Sequence, residues 1–231
     1  LLEKFLLRGS EELVNSNPDN KKKNPMYQRI WTMVYSFLMF ILVRNAVQYA
    51  LLALLYQLAQ SGASGGLVDL LILRDETGAY NGYSGDVSSI IAALGFIGGA
   101  LAVWSTAKLL ITKNKEDMHL SHLKKEGKAK YALLVAATIG AVIGFNLLFE
   151  LLGVTNKSEA YTEVVSQQYS AHFIVGILVF GFISPIAEEL LFRGVIYGYL
   201  RRFMDLKLAI ALSALIFGVY HMNYVQGIYG F

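Results

Sequence analysis

The sequence predicts an all-α protein that crosses a membrane as a helical bundle of at least five transmembrane helices. Its 231 residues are 55% hydrophobic and only 16% charged. The mean hydropathy is +0.47. The apolar residues form long stretches, each comparable to the ~20 residues that a helix needs to cross a bilayer. Charged residues concentrate between these stretches, as is typical of a polytopic membrane protein rather than a soluble domain.

We interpret residues 1–29 as a polar N-terminal segment and residues 30–231 as one membrane domain. The predicted spans run from about 30 to 58, 87 to 111, 131 to 152, 171 to 200 and 207 to 224.

A broken helix is expected at Pro185, inside the fourth span. Proline lacks a backbone N–H and clashes with the preceding helical turn, so the helix should kink or restart there. Ser184 would then be the N-cap of the new helix and Pro185 its first residue.

The distribution of charge predicts the orientation. Basic residues concentrate in the segments Lys21 to Arg29, Lys113 to Lys130 and Arg201 to Lys207, whereas residues 59–87 and 153–170 are mainly acidic. Because basic loops remain in the cytoplasm, the N terminus should be cytoplasmic.

Composition also excludes several classes of function. No cysteine is present, which excludes disulfides, thiolate catalysis and cysteine-ligated zinc. Neither a phosphate-binding glycine loop nor a basic, aromatic nucleic-acid surface is found. We therefore expect no cofactor and no nucleic-acid partner, and membrane lipid as the surroundings.

The fourth span contains Glu188, Glu189 and Arg193. Charged residues inside a span cost roughly 2.5–3.5 kcal/mol each on insertion scales, so they usually have a function. Glu189 and Arg193 are four residues apart and can pair on one helix face. Glu188 points about 100° away, so we assign Glu188 to a cavity and Glu189 to a supporting role. A purely structural ion network is the alternative.

His221 is predicted at a similar membrane depth to Glu188. At ~1.5 Å per residue, Glu188 and His221 lie roughly 18 and 21 Å from the same membrane face. The short turn between the last two spans could bring them together, and a histidine beside carboxylates suits acid–base chemistry. Phe217 precedes His221 by one turn and can pack beneath its ring.

Arg44 lies in the middle of the first span. Two interpretations stay open. Either Arg44 partners a buried carboxylate, at Glu150 or at the Glu188/Glu189 pair, or its side chain extends to the membrane surface.

Glu188-Glu189-x-x-x-Arg193 followed by Phe217-x-x-x-His221 resembles the first two motifs of the CPBP family. This family comprises the CAAX prenyl proteases of the Rce1 type, called Abi in bacteria. The resemblance covers residues 171–231. It implies an integral protein of a bacterial plasma membrane.

The resemblance further implies a metal-free intramembrane glutamic endopeptidase. Glu188 and His221 would activate a water that attacks a peptide bond, and Glu189 and Arg193 would hold the site. The substrate would be a peptide or lipidated protein, in CAAX-type processing, peptide maturation or bacteriocin self-immunity.

The family also carries a later His-x-x-x-Asn motif, thought to stabilise the oxyanion. This sequence has histidines only at 119, 122, 172 and 221, and none begins such a motif. We therefore expect the native chain to continue beyond Phe231 with another span that carries it.

Two other functions remain open. A metal-dependent membrane protease could use Glu188, Glu189 and His221, although a third strong ligand and a His-Glu-x-x-His motif are not evident. A non-catalytic scaffold or a proton-coupled transporter could instead use the buried charges.

Overall fold

A computed structural model of the chain describes residues 26–117, 127–154 and 158–230. The all-α class is confirmed. Residues 1–25, which hold most of the predicted N-terminal segment, and residues 118–126, which hold His119 and His122, lie outside the described part.

The helices, in chain order, are α1 (Met26–Gln60), α2 (Leu67–Leu71), α3 (Gly85–Asp117), α4 (Lys128–Leu151), α5 (Glu159–Tyr169), α6 (Phe173–Leu200), α7 (Leu206–Tyr220) and α8 (Tyr224–Gly230). A short antiparallel hairpin joins β1 (Leu73–Arg74) to β2 (Tyr80–Gly82).

Within the described residues, four helices are long and apolar enough to cross a membrane, namely α1, α3, α4 and α6. The fifth predicted span is shorter than expected, because α7 has 15 residues and ends at Tyr220. At ~1.5 Å per residue this is less than the ~30 Å hydrocarbon core. His221 is the C-cap of α7, and Met222 takes a left-handed conformation with φ 57°. The prediction of a helix through to about residue 224 is therefore corrected.

Helix α8 folds back onto α7 after this turn. The two helices approach closely at a pair of glycines. A Cβ atom added to Gly218 would lie 2.7 Å from the carbonyl oxygen of Gly227. Since no side chain larger than hydrogen fits there, the two glycines allow the turn that fixes His221 at the end of α7.

The change of helix type in α6 falls where the sequence predicted a break. Residues Ile177–Ile183 form a π-helix, and α-helical geometry begins at Ser184, one residue before Pro185. The backbone nevertheless stays helical through this point. Ser184 has φ −61° and ψ −52° and makes no capping hydrogen bond, so its predicted role as an N-cap is wrong. The wider π-turn accommodates the proline ring without a new helix start.

Glycines on α3 let it pack closely against α1, as small residues do in membrane bundles. A Cβ atom on Gly99 would lie 3.0 Å from the carbonyl oxygen of Phe40, and one on Gly98 would lie 3.1 Å from Val47. Helix α6 completes the core by burying Phe192, whose ring centroid lies 4.8 Å from that of Phe217 on α7.

Helix α5 was not predicted, because residues 153–170 were interpreted as a loop. Ser158 caps its N terminus by accepting a hydrogen bond from the backbone N–H of Tyr161 at 3.2 Å. No glycine or proline interrupts residues 158–170. Together with the Ser158 cap, this uninterrupted stretch was the sequence signal for a helix.

Candidate active site

A cavity of about 480 Å³ lies between α1, α3, α5 and α6 and is closed by the turn between α7 and α8. Its lining combines apolar and aromatic side chains with several polar ones. The polar and charged lining residues are Arg44, Gln48, Tyr83, Ser88, Ser89, Gln167, Gln168, Ser184, Glu188, Tyr220, His221 and Gln226. A polar cavity beside three helices of membrane-spanning type, α1, α3 and α6, is the arrangement expected of a binding or catalytic site.

Glu188 lines this cavity and is half-buried. The Ser184 hydroxyl, one turn earlier on α6, donates a long hydrogen bond to Glu188 Oε1 at 3.4 Å. Arg44 and His221 line the same cavity as Glu188. Glu188 is therefore a carboxylate that faces a cavity and has basic neighbours, as a general base requires.

His221 lines the same cavity as Glu188. The His221 Nδ1 lies 2.9 Å from the carbonyl oxygen of Phe217. Because a carbonyl only accepts, Nδ1 carries the proton, and in the neutral ring Nε2 is left as an acceptor. The Phe217 ring lies edge-on to the imidazole with centroids 4.7 Å apart, which confirms the predicted contact.

Glu189 and Arg193 do not line the cavity. The Arg193 guanidinium pairs with the Glu189 carboxylate at 3.1 Å, and the two side chains are 48% and 57% exposed, respectively. The predicted i,i+4 pair is confirmed. Arg193 also lies over the Phe217 ring at 4.8 Å, so the ion pair is coupled to the histidine through Phe217.

Arg44 reaches the cavity from α1. Its guanidinium lies over the Phe96 ring at 4.1 Å and donates a short hydrogen bond to the Tyr220 hydroxyl. Arg44 lines the same cavity as Glu188, but its hydrogen bond goes to Tyr220 and not to a carboxylate. Glu150 is an exposed residue of α4 and does not line the cavity.

Several lining residues were not indicated by the sequence. Tyr220 precedes His221 directly, and Gln167 and Gln168 come from the unpredicted helix α5. A tyrosine beside a motif histidine and paired glutamines in a short helix are common sequence features. These residues line the cavity because of the way α5 and the α7–α8 turn pack.

The ligand set considered for a divalent cation is not assembled in the described part of the chain. Glu188 and His221 share the cavity, but Glu189 is held outside it by Arg193. Among the described residues no three histidine, aspartate or glutamate side chains are grouped for metal binding.

Comparison with known proteins supports the resemblance seen in the motifs. Residues 170–231 match the family model described as type II CAAX prenyl endopeptidase Rce1-like. Neither a curated protein nor a solved structure matches the chain. The matched region contains Glu188, Glu189, Arg193, Phe217 and His221.

Proposed function

We propose that this chain, whose residues 170–231 are similar to the Rce1-like family, is an intramembrane glutamic endopeptidase. It hydrolyses a peptide bond in a lipidated or membrane-associated peptide. The observation that supports this most strongly is that Glu188 and His221 line one cavity beside membrane-type helices.

In the proposed reaction, a water bound between Glu188 and His221 attacks the scissile carbonyl carbon. Glu188 takes one proton of the water while the oxygen forms the new C–O bond. The carbonyl π electrons move to the carbonyl oxygen, which becomes an oxyanion. When the tetrahedral intermediate collapses, the C–N bond breaks and the leaving nitrogen takes the proton from Glu188.

His221 has an orienting role in this proposal. Its Nδ1–H is occupied by the Phe217 carbonyl at 2.9 Å, which fixes the ring and the tautomer. The free Nε2 accepts a hydrogen bond from the second O–H of the water, so that a lone pair of the water oxygen points to the substrate. Glu189 and Arg193 support the site from the opposite face of α6, since Arg193 lies over Phe217.

The proposed location is a bacterial plasma membrane with the N terminus in the cytoplasm. In that orientation α5 lies on the outer side, and the cavity extends towards that side because Val164, Gln167 and Gln168 line it. The substrate class could be a CAAX-type protein, a maturing peptide or a bacteriocin involved in self-immunity. An outward cavity favours an exported peptide among these.

The absence of cysteine from the sequence makes the orientation straightforward to test. Gln168→Cys should react with a membrane-impermeant maleimide added outside intact cells, whereas Asp205→Cys, in the α6–α7 turn, should react only after the cells are opened. The reverse pattern would contradict the proposed orientation.

The activity is tested by incubating the purified protein in lipid nanodiscs with a farnesylated peptide and with an unmodified membrane-associated peptide. Cleavage in the presence of EDTA, lost in Glu188→Gln and in His221→Asn, is the expected result. Cleavage abolished by EDTA would favour a metal-dependent protease. Proton-coupled flux without cleavage would favour a transporter, and neither activity would favour a scaffold.

A further inference from the structure

The two motifs, Glu-Glu-x-x-x-Arg and Phe-x-x-x-His, do not account for Arg44. It lies about halfway along the apolar segment Ile30–Gln60 of α1. A guanidinium at this depth is costly unless a functional site uses it. The described part of the chain offers no salt bridge for Arg44, since Arg193 takes Glu189 at 3.1 Å. The function of the Arg44 guanidinium is therefore expected inside the cavity that it lines.

The guanidinium of Arg44 is held rigidly. One face lies over the Phe96 ring at 4.1 Å, and the Tyr220 ring lies 5.9 Å away. Its Nη1 donates to the Tyr220 hydroxyl. The Nε is buried and has no hydrogen-bond partner among the described residues. Two aromatic contacts and one hydrogen bond thus fix the group without neutralising its charge.

Arg44 is also close to the reacting groups. Both Arg44 and its hydrogen-bond acceptor Tyr220 line the cavity that contains Glu188 and His221. Since Arg44, Tyr220, Glu188 and His221 all line one cavity, a carbonyl attacked by a water at Glu188 would lie next to the guanidinium.

We propose that Arg44 is a further catalytic residue, which donates a hydrogen bond to the oxyanion of the tetrahedral intermediate. This inference rests on the proposed endopeptidase function. The guanidinium is permanently charged, and its aromatic contacts hold it in place before the substrate binds. A pre-organised donor placed where the charge develops stabilises the transition state more than the ground state.

The peptide's terminal carboxylate is a poorer candidate for the same cation. A carboxylate three residues beyond the scissile bond would lie up to ~10 Å from it in an extended chain. The oxyanion forms one bond away from the carbon that the Glu188-bound water attacks. The position of Arg44 in the same cavity as Glu188 therefore favours the oxyanion.

Tyr220 is a positioning residue in this proposal. Its hydroxyl accepts from Arg44 Nη1 and so sets the direction of the remaining guanidinium N–H groups. Tyr220→Phe should lower kcat less than loss of the guanidinium does, and KM should stay the same.

The test compares Arg44→Gln, Arg44→Lys and the matched control Lys108→Gln, an exposed lysine of α3. Each is assayed on the cleaved peptide after its helical content and monodispersity in nanodiscs are checked. Arg44→Gln should lower kcat by about 10²-fold with KM within about threefold, and Arg44→Lys should retain part of the rate. Lys108→Gln should match the wild type. An unchanged kcat in Arg44→Gln, or a loss entirely in KM, would overturn the proposal.

Binding measurements separate this inference from the proposed function. A peptide phosphinate carries a tetrahedral anion in place of the scissile carbonyl. It should bind the wild type about 10²-fold more tightly than Arg44→Gln, whereas a non-cleavable neutral analogue should bind both equally. Equal phosphinate binding would refute the role of Arg44 even if the wild type cleaves. Absence of cleavage by the wild type would instead refute the proposed function.

The pH profile distinguishes an oxyanion donor from a residue that acts through Glu188. If Arg44 acts on the oxyanion, the plateau of the kcat/KM profile should fall in Arg44→Gln, whatever the midpoint of its acidic limb. A displaced midpoint with an unchanged plateau would show that Arg44 only sets the charge of Glu188, and it would contradict the proposal.

Discussion

The two faces of α6 around residue 188 differ sharply, although they are built from adjacent glutamates. The Glu188 carboxylate lines a cavity with His221 and Arg44. The Glu189 carboxylate pairs with Arg193 on the opposite side, where both side chains are about half exposed. The helical rotation of about 100° per residue separates the two carboxylates. Of the two carboxylates, Glu188 alone lines the cavity, and it is the one that takes a proton from water in the proposed reaction.

The largest effect should come from substituting the glutamate on each face in turn. Glu188→Gln keeps the shape of the side chain but removes the proposed base, so cleavage should fall by about 10²–10⁴-fold. The matched variant Glu189→Gln should lose roughly tenfold or less, because its role is supporting. Rates of peptide cleavage by the two purified variants measure this. Equal losses would mean that the two faces do not differ in function.

A second, smaller loss is expected for His221→Asn, which removes the acceptor Nε2 from the cavity face. Cleavage should fall by about 10²-fold. His172→Asn is the control, because His172 lies at the start of α6 with its side chain 88% exposed and paired with Asp86. The control should cleave at close to the wild-type rate. Comparable losses in both variants would indicate a general disturbance of α6 instead.

The outer face should respond mainly in stability. Arg193→Ala removes the ion pair with Glu189, worth ~0.2–1 kcal/mol when exposed, and the contact over Phe217, worth ~0.5–1 kcal/mol. The melting temperature should fall by roughly 2–4 °C, and activity should fall modestly, because Phe217 positions His221.

Glu189→Ala and the double variant with Arg193→Ala complete this measurement. If the ion pair stabilises the protein, the sum of the stability losses in the two single variants should exceed the stability loss in the double variant. An unchanged melting temperature in Arg193→Ala would show that the pair contributes nothing to stability.

The sequence predicted the membrane class and four long spans well, because apolar length is a local property that bilayer thickness dictates. The Glu189–Arg193 pair and the Phe217–His221 contact followed from helical spacing alone. These successes concern neighbours within one helix.

Features that depend on packing between elements were less predictable. The end of α7 at Tyr220 is fixed by the close approach of Gly218 and Gly227, and the position of Arg44 is fixed by Phe96 and Tyr220. Neither contact has a signature in local sequence. The helical backbone at Ser184 was also not predicted. The preceding π-turn accommodates Pro185, so the predicted cap is not needed.

The most direct test of the central claim, that Glu188 and His221 act together on one water, is a double-mutant cycle on cleavage. Rates would be measured in nanodiscs for the wild type, Glu188→Gln, His221→Asn and the double variant. Because residues that act as a unit are strongly non-additive, the double variant should be about as slow as Glu188→Gln alone. A double variant slowed by the full product of the two single effects would show that the two residues act independently and would contradict the account.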